Sequence, residues 1–87
     1  MTCYLISYDL RKKKDYESLY KAIKAYSGWA HILESTWAVT TNLSAKQVRD
    51  DLKKHIDSDD GLFVLKSGVE AAWVRVNCKD EWLKENL

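Results

Sequence analysis

Asp9 stands one residue before a run of four cations, Arg11-Lys12-Lys13-Lys14. A carboxylate is a hard oxygen donor suited to magnesium, and lysine and arginine neutralise phosphate. An acid beside a basic loop can therefore hold a hard cation close to a phosphate. A lone Asp also closes turns through its side chain, and that plainer reading applies to Asp9 as well. The remaining candidates carry less. Cys3 and Cys78 form no CxxC and have no histidine ligands nearby, so the spacing is not that of a zinc site, and reduced, buried thiols are expected. His31 lies beside Trp29 in a strand and His55 near a helix end, both read as structural. Asp57-Ser58-Asp59-Asp60-Gly61 lacks the ligand spacing and closing Glu of a calcium loop and reads as a solvated turn.

The element that positions Asp9 is the stretch before it. Residues 3–8 are aromatic, aliphatic or small, without Gly or Pro, which predicts a well-buried strand. Alternation puts Tyr4, Ile6 and Tyr8 on one face and Cys3, Leu5, Ser7 and Asp9 on the other. Asp15 is placed to cap a helix near 16–27, whose apolar stripe is Tyr16, Leu19, Tyr20, Ile23 and Tyr26; Ser27-Gly28 would end it. Residues 29–33 and 36–40 predict a hairpin. Ser44 with Gln47 is a capping box opening a second helix over 45–56, with Ala45, Val48, Leu52 and Ile56 inward. A short apolar strand follows at 62–65. Glu70 to Val76 reads as a further strand, and Asn77 as the cap of a last helix, Lys79 to Asn86, pinned by Trp82 and Leu83.

Eighty-seven residues, 46% hydrophobic and 31% charged, predict one soluble domain spanning 1–87. A net charge of +1 gives no global basic field, so any nucleic-acid affinity must come from the cluster at 11–14. No apolar run is long enough to cross a bilayer and no signal-peptide pattern leads the chain, so a cytoplasmic protein with no membrane contact is expected. The order β-α-β-β-α-β, with an extra C-terminal strand and short helix, is that of an α+β ferredoxin-like sandwich. Its helices cover one face of the sheet. The other face is apolar too, and a second copy of the chain, joined about a two-fold axis, is the expected cover.

At this point the residues resemble a known group. A strand ending Tyr8-Asp9-Leu10, a basic loop, a helix, and Ser35 followed two residues later by Trp37 are similar to the CRISPR-associated Cas-two superfamily. The segments Tyr4–Leu10, Leu33–Trp37, Ala71–Trp73 and Trp82–Leu87 resemble its SinR-like branch more closely, and VapD toxins share the strand-plus-Asp opening. The resemblance spans nearly the whole chain. It implies a homodimer, metal-dependent nuclease activity on RNA or DNA in some members, and a non-catalytic scaffold role in others. It maps the metal-binding acid to Asp9 and the hairpin serine to Ser35. Ala38-Val39 and the placement of the basic residues before the first helix depart from the Cas-two pattern and argue against a role in spacer integration.

Together these give an expected endoribonuclease-like site, RNA before DNA, in a defence or toxin system. Asp9 would hold magnesium, with the second carboxylate supplied by the partner copy's equivalent acid across the dimer axis. Ser7 or Ser35 would orient the scissile phosphate, Lys12, Lys13 and Lys14 with Arg11 would grip the backbone, and Tyr8 would stack or donate to phosphate. Two other classes compete. One is a non-catalytic nucleic-acid-binding dimer, with Trp29 or Trp73 stacking bases. The other is a structural dimer that docks a protein by the edge of its extra strand and last helix.

Overall fold

The structure is a computed structural model that describes residues 1–12, 16–68 and 70–87. Its elements are β1 (Thr2–Asp9), α1 (Glu17–Lys24), β2 (Gly28–Leu33), β3 (Thr36–Thr41), α2 (Ala45–Lys53), β4 (Gly61–Lys66) and α3 (Asp80–Asn86). The strands form one antiparallel sheet in the order β2-β3-β1-β4. With α1 and α2 packed on one face, this is consistent with a ferredoxin-like α+β class. Asp15, the expected cap of α1, lies outside the described residues, as do Lys13, Lys14 and Val69.

The register explains the core. Ile6 faces Trp37 and Val64, and Tyr4 faces Val39, so apolar residues of three strands stack in rows beneath the helices. Leu19 and Ile23 of α1 and Val48 and Leu52 of α2 complete this layer, all four fully buried. Each contributes about 1.5–3 kcal/mol by leaving water. Ser44 makes the predicted capping box: its hydroxyl accepts from the Gln47 amide at 3.2 Å, and Gln47 accepts from the Ser44 amide at 2.9 Å. Gly28 does not cap α1 with a left-handed residue. It begins β2 instead, where a Cβ would come within 2.5 Å of Thr40 Oγ1, so the close hairpin, rather than a helix end, requires glycine.

The C-terminal third departs from expectation. Residues 70–76 do not form the extra strand. Arg75 has φ 52°, which breaks any extended run, and the segment lies beside α3 on the face of the sheet opposite α1 and α2. There Trp73, Val76, Cys78, Trp82 and Leu87 pack, half-buried, around buried Cys3, Ala30, Ile32, Ala38 and Leu83. Within residues 70–76 it is Trp73 and Val76 that make this contact, and the other five residues stay exposed. Asn77 is not the helix cap. Its amide donates to the Ile32 carbonyl at 2.8 Å, and Lys79 is the N-cap, without a side-chain bond.

The face opposite α1 and α2 is thus partly covered by the chain itself, α3 included. This corrects the expectation that only a second copy could cover it, and protein docking through an extra strand loses its strand. The uncovered remainder lies over β1 and β4. Leu5 faces Leu65 and Ser7 faces Phe63 there, with Phe63 62% and Leu65 50% exposed. Among the described residues, no helix is long and apolar enough to cross a membrane.

Candidate functional site at the end of the first strand

Tyr8 and Asp9 close β1 on opposite faces. Tyr8 turns inward: its amide donates to the Ser35 carbonyl at 3.1 Å and its hydroxyl to the Glu34 carbonyl at 3.1 Å. It also accepts from Trp37 Nε1 at 2.9 Å. Burial pushes the Tyr8 phenol up, against the Trp37 bond, which pulls it down. Tyr8 is therefore a neutral, fully committed group. It anchors the β2–β3 turn, and with it Ser35, against the end of β1, so stacking or phosphate donation by Tyr8 is not favoured by this geometry.

Asp9 turns outward onto the face opposite α1 and α2. Its carboxylate, 73% exposed, pairs with Arg11 at 3.3 Å. It borders a shallow hollow of about 320 Å³ with Ser7, Tyr8, Gly61, Leu62 and Phe63. Ser35 lies exposed in the adjoining turn. The structure thus gathers Asp9, Arg11, Lys12 and Ser35 at one end of the sheet. Lys13 and Lys14, the rest of the expected backbone grip, lie outside the described residues.

The 57–60 turn is not merely solvated. Asp60 accepts from the Arg11 amide at 2.7 Å, the Tyr16 hydroxyl at 2.8 Å and the Asp57 amide at 2.9 Å. Lys12 Nζ pairs with Asp59 at 3.0 Å, and Arg11 Nη1 donates to the Asp59 carbonyl. One carboxylate therefore fastens both ends of the basic loop to a turn more than forty residues away. Burial and the Asp60 bond and charge push the Tyr16 phenol up to about 12, so it donates at any ordinary pH. Asp59 and Asp60 escaped the sequence reading. The signal that could have found them is the match between a run of bases and a run of acids of similar length.

This arrangement can exchange ions. The Arg11–Asp9 and Lys12–Asp59 pairs are solvent-exposed, and such pairs are weak and yield readily to a competing anion. Mg²⁺ takes six oxygens, usually including one or two carboxylates. Asp9 faces a guanidinium, and among the described residues no group of three His, Cys, Asp or Glu could hold a metal.

No family model matches the chain, and no curated protein matches it. The fold is similar to the crystal structure of a hypothetical protein, TT1823, from Thermus thermophilus, with a TM-score of 0.63 at 18% identity. The match covers 84% of this chain and 92% of that one. At that identity the likeness shows the fold alone: a small α+β domain with a four-stranded antiparallel sheet.

Proposed function

We propose that this chain is a homodimeric nucleic-acid-interacting protein of the Cas-two and SinR-like kind, which engages the phosphodiester backbone at the Asp9 end of its sheet. One observation carries the reading. An exposed carboxylate stands at a strand end, with Ser7 beside it, Arg11 and Lys12 next to it, and the exposed Phe63 and Leu65 on the same face. Apolar side chains this exposed favour a contact with another surface. A two-fold contact over them would bring Asp9 of both copies towards one axis.

In its enzymatic form the protein is a metal-dependent phosphodiesterase, acting on RNA before DNA. Among the described residues no cluster of metal ligands surrounds Asp9, and in this form the partner's carboxylate completes the site. What the chain's own residues do is bind and orient: Arg11 and Lys12 exchange their carboxylate partners for phosphate oxygens, and Ser7 and Ser35 offer hydroxyls to the backbone. A second reading, binding without cleavage, is favoured by the Asp9–Arg11 pair, because an acid already engaged by a guanidinium is a weaker metal ligand.

The test is cleavage of labelled RNA and DNA, with and without magnesium, by the intact chain and by Asp9→Ala. Magnesium-dependent cleavage that Asp9→Ala abolishes, with the dimer intact in sedimentation, supports the enzyme. Binding without cleavage by either protein supports the second reading, and no binding in any condition removes both.

A further inference from the structure

Between α1 and the β2 edge lies a second hollow, of about 150 Å³, lined by Glu17, Tyr20, Lys24, His31 and Trp37. Sites for drug-sized ligands begin near about 300 Å³, so this one admits a single ring rather than a whole nucleotide. Tyr20, His31 and Trp37 give it aromatic walls, and Glu17 and Lys24 add one charge of each sign. His31 and Trp37 are direct partners across the β2–β3 ladder, and their rings stack at 3.9 Å and 6°. Tyr20 stacks on the same indole at 6.2 Å and 22°, and Trp29 tilts against it at 5.6 Å. Trp37 itself is sealed, but Trp29 is 40% exposed and His31 is half-buried, so this cluster ends in ring surface open to solvent. Lys24 Nζ sits 5.4 Å from the Trp29 ring centre and 6.0 Å from that of Trp37, a cation at the rim.

The hollow is tied to the strand-end site by one atom. The Glu34 carbonyl that accepts from the Tyr8 hydroxyl also lies 3.1 Å from His31 Nε2, which donates to it. His31 is thereby oriented by the same turn that holds Tyr8 next to Asp9.

We propose that this hollow is a nucleobase-stacking site that takes one unpaired base from a single-stranded nucleic acid whose backbone passes the Asp9 end. The proposal rests on the nucleic-acid reading above and narrows its substrate class. A base in a duplex is covered on both faces and cannot enter a one-ring slot, whereas an unpaired base has a free π-face for His31 and Trp29. Lys24 lies where the phosphate of that nucleotide needs a counter-charge. Stacking of this kind is tolerant of sequence, so the site selects single strand over duplex, not one base over another.

The experiment uses the intact chain with a labelled single-stranded oligoribonucleotide, and the same sequence annealed to its complement, at one low salt concentration. Affinity is read by anisotropy and stacking by tryptophan quenching. The single strand should bind more tightly than the duplex and quench emission. His31→Ala should lose about tenfold in single-strand affinity, as expected for losing one stacked base, while His31→Phe retains it and duplex binding is unchanged in both. Trp29→Ala, at an exposed position, should weaken the single strand in the same direction and decides the matter if His31→Ala does not fold. Parent-like affinity of His31→Ala and Trp29→Ala, with Lys12→Ala weakened, overturns the stacking site and leaves the nucleic-acid reading standing. Failure of the parent to bind either form overturns both.

Discussion

Individual phenols report the state of this molecule. Burial, with the Asp60 bond, pushes Tyr16 up to about 12, and burial, with the Asp51 charge, pushes Tyr26 up to about 12. The folded protein thus holds these protons more tightly than the unfolded chain, whose phenols titrate near 10. The sign follows: their stabilisation is complete below pH 10 and is lost as pH rises from about 10 to about 12. Urea unfolding at about pH 9 and about pH 11 should show the midpoint falling, and phenolate absorbance should show Tyr8, Tyr16 and Tyr26 ionising late. Asp60→Asn should lower the Tyr16 value part of the way, because burial is the larger cause, and leave Tyr26 unchanged. A Tyr16 titration identical to the parent's would show that the Asp60 bond contributes nothing to it.

The elements differ in how they are held. α2 carries a reciprocal cap at Ser44, whereas α1 begins at Tyr16 without a side-chain bond and depends on Leu19 and Ile23. Ser44→Ala should therefore cost about 1 kcal/mol in chemical denaturation, with no change in any nucleic-acid affinity. The basic loop and the 57–60 turn form one unit through Asp59 and Asp60. Under the proposed function, Asp59→Asn frees Lys12, and binding of a labelled oligonucleotide should tighten and become more salt-dependent. Unchanged affinity would mean that Lys12 does not meet the backbone.

On the scale of the whole molecule, one face of the sheet is covered by α1 and α2 except at the β2 edge, where Trp29 and His31 reach solvent, and the other is half covered. α3 seals Cys3, Ala30, Ile32 and Ala38 through Leu83, which is 1% exposed. Leu83→Ala should cost about 2–5 kcal/mol, a large share of the stability of a small domain. It should also speed modification of the Cys3 thiol, which burial pushes up and keeps unreactive. The uncovered strip over β1 and β4 makes the complementary prediction. Under the proposed dimer, Phe63→Ser with Leu65→Ser should leave the fold intact, because both side chains are exposed, yet shift sedimentation towards the monomer. Identical sedimentation of parent and variant would remove this strip from any interface.

The six elements of the β-α-β-β-α-β order were legible in the sequence because each carries its own signal. Leu19 and Ile23, or Val48 and Leu52, recur at helical spacing, Tyr4, Ile6 and Tyr8 alternate, and Ser44 with Gln47 marks a helix start. Such periodicities are local, so neighbouring residues suffice to read them. The strand-end position and outward turn of Asp9 followed from the same alternation. The tertiary structure alone decided what lies against what across long separations. Glu70–Val76 does not become a strand because Arg75 takes φ 52° and Trp73 and Val76 lie against the face that β1, β2 and β3 leave open, a contact that no local period announces. The pairing of Lys12 with Asp59, and of His31 and Tyr8 with one Glu34 carbonyl, likewise has no local period. Those contacts exist because the sheet order places chain ends side by side, and charge and hydrogen-bonding groups then satisfy one another by distance, not by sequence.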